Sequence, residues 1–353
     1  MRRAAAAASI AAPRCDHSPD EPRKLQMTAP KITRSLTLNF VGDWGQANFH
    51  RVLGWLTHQF CRHAGPNSRT AIWSIRGGGF EAVPLVHGGE ADLCIVTPDK
   101  LMRKALTGEG IFRGRPMPDL RALAVLPQND VMLLAIDRRF GIHSFGELRR
   151  AKPALRIARS THDGTNFIGY VAERFMSAHG ISDAELESWG GRYVTFHQPN
   201  ECLDLMLRGE VDAVLQEAIM TPWWAQVMTK LEAVPIPAEP LALQALESSE
   251  GLPAKTLRAG YWPGVETPLT TLDFSDFVVL VRADMPEDVA HLLTWCLVET
   301  RGMIEQQYRH LDPERSPLSY PLEPAKMAQP SIPLHPGARA YFESAGHLGA
   351  SRT

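Results

Sequence analysis

The sequence predicts an α/β protein of two similar lobes, each a mainly parallel sheet flanked by helices, joined by two crossings. Three observations predict it. Arg76 to Asp99 reads RGGGFEAVPLVHGGEADLCIVTPD. It holds a glycine turn, a helix with Phe80, Val83, Leu85 and Val86 on its apolar face, and a Gly88-Gly89 stop. A continuous apolar run, Leu93-Cys94-Ile95-Val96, follows, the pattern of a strand buried on both faces. The second observation is an echo about 120 residues on, where LDLMLRGEVDAVLQE (203–217) again places a G-E-x-D turn between an amphipathic helix and a buried strand. The third is the turn chemistry after each strand. Gly77 to Gly79, Thr97-Pro98-Asp99 and Arg159 to Asn166 (RSTHDGTN) put ligand loops at strand C-terminal ends, where open α/β sheets bind their ligands.

In chain order, Ser35 to Val41 alternates as the first strand. The turn Gly42 to Gln46 leads to a helix with Phe49, Val52, Leu53, Leu56 and Phe60 on one face, ended by Gly65-Pro66. Ala71 to Ile75 is a strand, Leu101 to Leu106 helical, and Gly108 to Pro118 a loop. Leu120 to Leu126 and Val131 to Ile136 are strands, and Pro127 to Asp130 between them is the first crossing. Ser144 caps a short helix, Leu155 to Ala158 is a strand, and Thr165 to His179 is a helix whose rows Phe167, Val171, Phe175 and Ile168, Ala172, Met176 repeat at i, i+4, i+8. Tyr193 to Phe196 is a strand and Asn200 to Arg208 the helix before the repeated device. Thr221 opens a helix in which Trp223 and Trp224 pack. Pro235, Pro237, Pro240 and Glu247 to Gly251 mark exposed connections. Leu272 to Val281 is one strand with the second crossing just before it. Pro286 starts a helix through about Tyr308, and Pro336 the last helix. The expected units are an N-terminal extension (1–34), one lobe (35–128 plus 272–353) and a second (129–271).

The 353 residues are 44% hydrophobic and 22% charged, enough to bury two cores. A formal charge of −2 argues against nucleic acid or an anionic membrane as the main partner. No apolar run approaches the roughly 20 residues of a spanning helix. Five cysteines without C-x-x-C spacing argue against a disulfide framework or a zinc site. No G-x-S-x-G, H-E-x-x-H, G-x-G-x-x-G or G-x-x-x-x-G-K-[ST] motif is present, and the 13 histidines are scattered. No catalytic residue, metal ligand or cofactor is expected. Met1-Arg2-Arg3 followed by an alanine-rich stretch reads either as a weak export signal or as a segment ahead of a start at Met27.

The G-E-x-D turn before a strand, the RSTHDGTN turn opening a helix, and His335-Pro336-Gly337-Ala338 with Tyr341-Phe342 together resemble the TAXI-type solute receptors of TRAP transporters, within the type II periplasmic-binding-protein fold. The resemblance spans about Ser35 to Gly346. It departs at the first loop, Gly42-Asp43-Trp44-Gly45-Gln46, which is bulkier and more acidic than the family's usual Thr/Gly/Ser-rich loop. The resemblance implies a periplasmic, monomeric receptor that closes over a small solute and passes it to a membrane permease. The competing reading is a cytoplasmic enzyme on the same fold, of decarboxylase, dehydratase or menaquinone-pathway type.

Ligand groups are expected from Asp43 and Trp44, from Arg76, Gly77 and Gly78, from Thr97, from Arg159, Ser160, Thr161, Asp163, Gly164 and Thr165, and from Gln216 and Glu217. Arg76 and Arg159 each end a strand, one per lobe. A guanidinium presents a planar fork of donors matched to a carboxylate, so at least one of the two is expected to anchor an anionic solute.

Overall fold

A computed structural model describes residues 28–43, 48–75, 79–218, 222–262 and 265–348. The first part of the chain alternates strand and helix: β1 (Thr37–Asp43), α1 (Asn48–His63), β2 (Arg69–Ile75), α2 (Ala82–His87), β3 (Leu93–Val96), α3 (Met102–Thr107) and β4 (Leu120–Leu126). The face expected of α1 is the one it buries, with Trp55 and Gln59 added. β3 is buried at all four residues, as a strand covered on both faces must be.

The middle of the chain builds a second sheet. It holds β5 (Val131–Ile136), α4 (Phe145–Ala151), β6 (Arg156–Ser160), α5 (Phe167–Ala178), α6 (Asp183–Ser188), β7 (Arg192–Phe196), α7 (Pro199–Leu207) and β8 (Ala213–Glu217). Next come α8 (Pro222–Lys230), β9 (Val234–Pro235), α9 (Pro240–Glu250), β10 (Ala254–Leu257) and β11 (Leu269–Asp273). The chain then returns with β12 (Phe277–Arg282), α10 (Glu287–Glu299), α11 (Arg301–Glu305), α12 (Pro324–Met327) and α13 (Pro336–Ser344).

The first sheet runs β2-β1-β3-β12-β4 and the second β10-β11-β5-β8-β6-β7, with β9 on β5. Parallel pairing holds β1 to β2 and β3, and β6 to β7 and β8. β12 runs antiparallel between β3 and β4, and β5 antiparallel to β8. Each sheet is therefore mixed, because each receives an antiparallel strand where the chain crosses from the other lobe. This is the two-lobed, twice-crossed arrangement of type II periplasmic binding proteins.

Three sequence expectations change. Leu272 to Val281 is two strands: β11 ends at Asp273 in the second sheet and β12 begins at Phe277 in the first, so the return crossing is 274–276. Phe274 keeps an apolar side chain in the crossing and is fully buried there, ahead of Ser275 and Asp276. Glu247 to Glu250 belongs to α9, which starts on Pro240 at its first position and stops at left-handed Gly251. The long helix after Pro286 divides at Thr300, whose hydroxyl donates to the Cys296 carbonyl at 2.7 Å.

One apolar cluster runs from β1 and α1 through α2, α3, α4 and α5 to α9 and α13, so it spans both sheets. A separate cluster covers the other face of the second sheet, beneath α7 and α8, and includes Trp224 and Trp262. Trp224 thus packs as expected, while Trp223 is exposed.

Candidate functional site

The strand ends of the two lobes meet. Gly79, after β2, pairs as an antiparallel bridge with Asn166, after β6. Thr97, after β3, bonds to both crossings: its hydroxyl donates to the Phe274 carbonyl at 3.3 Å and accepts from Gln128 Nε2 at 2.8 Å. The Gln128 amide donates to Asp276 Oδ1 at 3.1 Å, and the Asp99 amide to the Asp276 carbonyl at 3.0 Å. Asp276 is left-handed, with φ 74°, a conformation Asp tolerates better than bulkier residues. These residues form a junction between the end of β3 and both crossings, and Thr97 there is 7% exposed.

Acids collect around this junction. Burial pushes Asp99 up to about 6, against the bonds it accepts from the Ser331 amide and hydroxyl. Asp273 takes Lys100 Nζ at 2.5 Å. Asp130, 2% exposed, is held well above the usual carboxylate range, first by burial and then by the facing Glu217 carboxylate. A like charge facing a buried carboxyl adds to the cost of ionising it, so burial and Glu217 act in the same direction on Asp130. Glu217 ends β8, where its carbonyl accepts from Trp224 Nε1 at 2.7 Å.

On the second lobe, Ser160 and Gln216 are neighbours on β6 and β8, and Gln216 Nε2 donates to Ser160 Oγ at 2.7 Å and to Cys202 Sγ at 3.2 Å. Both side chains are fully buried. The loop beyond them is open to solvent at 162–165. Asp163 Oδ1 accepts from the Thr165 amide at 2.9 Å and hydroxyl at 2.6 Å. Burial would raise that carboxyl, but the two bonds outweigh it and hold it low. Gly164 sits at φ 85° in this turn, while Thr161 donates its amide to the Phe196 carbonyl. Asn166 caps α5, accepting from the Gly169 amide at 3.0 Å, and donates from Nδ2 to the His197 carbonyl at 3.2 Å.

Arg159, expected as a ligand fork from this lobe, is bonded within the lobe. Its Nη1 and Nη2 both bond Asp183 at the start of α6, at 3.0 and 2.5 Å, and its guanidinium carbon lies 3.5 Å from the Tyr193 ring centroid. The fork is occupied within its own lobe.

Of the expected ligand groups, the structure brings together Ser160 with Gln216 and Asp163 with Thr165, and sets Thr97 where β3 meets both crossings. Asp43 closes β1 opposite Ile75; its side chain, with Trp44, Arg76, Gly77 and Gly78, lies outside the described residues. Gln128, Asp130, Asn166 and Asp276 were not on the expected list. The first two were signalled by Pro127-Gln128-Asn129-Asp130, a polar run between two strands that are apolar apart from Arg121. Asn166 was signalled by its place ahead of the first apolar residue of α5.

A cavity of about 250 Å³ lies at the opposite end of the first sheet, lined by Leu36, Leu38, Asp92, Arg282 and Val289 among others, away from the cleft. Among the described residues no helix is long and apolar enough to cross a membrane, and no group of three His, Cys, Asp or Glu is placed to hold a metal ion.

No curated protein matches the chain. Among solved structures, a Bordetella bronchiseptica RB50 protein is similar over 90% of this chain and 99% of its own, at 12% identity and TM-score 0.52. The periplasmic binding protein BugD is similar over 88% of this chain and 97% of its own, at 13% identity and TM-score 0.50. Both likenesses are of fold. A family model described as NMT1-like matches residues 63–346, most of the described structure, and the chain belongs to the NMT1-like family.

Proposed function

We propose that the protein is a solute-binding receptor of TAXI type, periplasmic and monomeric, which closes over a small organic anion and delivers it to a TRAP-type membrane permease. The units would be 1–34 as an extension, 35–128 with 272–353 as one lobe, and 129–271 as the other, with the return crossing moved to 274–276. The observation that carries the reading is the meeting of strand ends from two lobes by the junction of β3 with both crossings, through Thr97, Gln128 and Asp276. A rotation about two short crossings opens and closes a cleft at that place. The fold likeness to a periplasmic binding protein supports the same reading.

With Arg159 engaged by Asp183, the anionic end of the solute is assigned to Arg76, supported by the loop from Ser160 to Thr165. Asp43, Trp44, Gly77, Gly78, Thr97, Gln216 and Glu217 are proposed as the remaining cleft wall. One feature favours an enzyme on the same fold: buried Asp130 faces the Glu217 carboxylate and is held above the usual carboxylate range, and raised carboxyls concentrate where proton transfer is needed. A thermal-shift panel of dicarboxylates, 2-oxoacids, amino acids and aromatic acids separates the two. A receptor is stabilised by its solute, by about 2.7 kcal/mol at a hundredfold excess over Kd, and returns it unchanged. Recovery of a converted product establishes the enzyme instead. Titration of Arg76→Ala with the compound found is expected to show at least thirtyfold weaker binding, about 2 kcal/mol, as loss of a buried charge partner requires.

A further inference from the structure

Beside the cleft the lobes are joined by contacts that involve only protein groups. Lys104 on α3 belongs to the first lobe, yet its Nζ lies 2.6 Å from the Ser249 carbonyl and 3.1 Å from Glu250 Oε2, in the last turn of α9 in the second. That turn carries unsatisfied carbonyls and the negative end of the helix dipole, the place a cation is best held. Glu250, 6% exposed, also accepts from the Tyr170 hydroxyl of α5 at 2.8 Å. Arg174, 3.6 Å from its other oxygen, completes the set. Burial and the adjacent Glu250 carboxylate push the Tyr170 phenol up to about 12, so it stays a donor at any physiological pH.

The approach is close enough to need a glycine. At Gly110, with φ 57°, a Cβ would stand 2.9 Å from both the Tyr170 hydroxyl and Lys104 Cδ. Next to these polar groups are three phenylalanines, Phe80 and Phe112 from the first lobe and Phe167 from the second. Their ring centroids are 5.2 to 5.8 Å apart, and none is more than 4% exposed. This contact makes the larger apolar cluster continuous across the lobes. The Gly79 and Asn166 bridge adjoins it, since Phe80 and Phe167 are the next residues in the chain. Because Gly79 and Asn166 follow β2 and β6 at the cleft, any rotation that parts those strand ends must also part the rings and the Lys104 contact.

We propose that Lys104, Glu250 and Tyr170, with the Phe80, Phe112 and Phe167 contact beside them, form a clasp that keeps the lobes closed without help from a solute, so that opening is the rare event that admits one. A receptor held open at rest would leave these rings in water and Glu250 without its cross-lobe partner. The clasp rests on the two-lobed reading of the molecule but not on the identity of any solute.

Spin labels test it on the full chain. Cysteines are placed at exposed Glu90 in the first lobe and exposed Glu187 in the second, in a background with Cys15→Ser and Cys61→Ser. The lobe-to-lobe distance distribution is then read by double electron–electron resonance, with nothing added. The parent is expected to show a single short distance. Lys104→Met and Glu250→Gln are each expected to raise the longer-distance fraction at least tenfold, and together by less than the product of the two, because they remove the same contact. Phe112→Ala should open the protein further. The charge variants carry the test if that substitution compromises folding. A parent already at the longer distance overturns the proposal, as does a distribution unmoved by Lys104→Met and Glu250→Gln. The readout contains no solute, so a panel without a hit leaves the clasp standing, and an open parent leaves solute binding standing.

Discussion

At the scale of single residues, Arg159 shows what a residue type can and cannot announce. A strand-end arginine will find a carboxylate; Asp183, 24 positions on in the chain, reaches it only because α6 folds back beside β6. No local pattern encodes that return. Asp183→Asn leaves a guanidinium 4% exposed without its charge partner and is expected to lower unfolding free energy by about 2 kcal/mol. Solute affinity is expected to stay within threefold; a large loss of affinity with unchanged stability would show that Arg159 serves the ligand. His179 gives a second prediction. It stacks on Phe145 at 3.7 Å, donates from Nδ1 to the Phe175 carbonyl at 2.6 Å and accepts the Glu239 amide on Nε2 at 3.0 Å, so the neutral ring satisfies both nitrogens. Burial lowers its pKa from 6.5 to about 4. The folded pKa is depressed, so the unfolded chain binds the extra proton between those values. The ring's contribution is complete above pH 6.5 and is lost as pH falls toward 4, on the order of 3 kcal/mol in total. Urea titrations of the parent and His179→Gln across that window should converge as pH falls; parallel curves would refute the depressed pKa.

Among the elements, α5 was readable and the β11 to β12 passage was not, for one physical reason. A helix face is set by neighbours three and four residues away, and Phe167, Ile168, Val171, Ala172, Phe175 and Met176 are all buried as their spacing required. Which sheet a strand joins is set by partners far away in sequence. Leu272 pairs with Met132 in one lobe, and Val278 with Val96 and Val125 in the other. The alternation Leu272-Asp273-Phe274-Ser275 reads as one half-buried strand running into Phe277-Val278, so the polar residues Ser275 and Asp276 do not by themselves mark a change of lobe. The cleft was legible to the same degree: the loops were placed by turn chemistry, but Gln128 and Asp276 become site residues only through bonds across the crossings. One position on α5 was not legible at all. A Cβ on Gly169 would stand 1.9 Å from the Thr161 carbonyl oxygen, so α5 can lie against the end of β6 only with glycine there. Gly169→Ala is expected to cost about 3 kcal/mol, at the upper end of overpacking, despite alanine's better helix propensity. A denaturation midpoint equal to or above the parent's would contradict the close packing.

For the whole molecule, the question is whether two lobes mean two folding units. Two sheets joined by three-residue and four-residue crossings would ordinarily move and melt with some independence. Here three ties oppose that. The apolar cluster is shared through Phe80, Phe112 and Phe167. Arg258 of the second lobe pairs with Asp312 and Glu314 of the C-terminal segment, and Asn129 Nδ2 holds the Pro313 and Ser316 carbonyls at 2.9 and 3.0 Å. The same segment donates the Ser319 amide to the Pro127 carbonyl, bracing the first crossing from outside. Surface pairs such as those of Arg258 contribute little each; the buried rings decide, because exposing one large apolar side chain costs about 1.5 to 3 kcal/mol and neither lobe can avoid it alone. Unfolding in urea is therefore expected to be a single transition, with tryptophan fluorescence and far-ultraviolet circular dichroism coincident. Buried tryptophans report from both sides, Trp55 and Trp295 in the first lobe and Trp224 and Trp262 in the second. Non-coincident curves or a plateau between two transitions would show that the lobes fold separately and that the shared cluster is a contact between finished units.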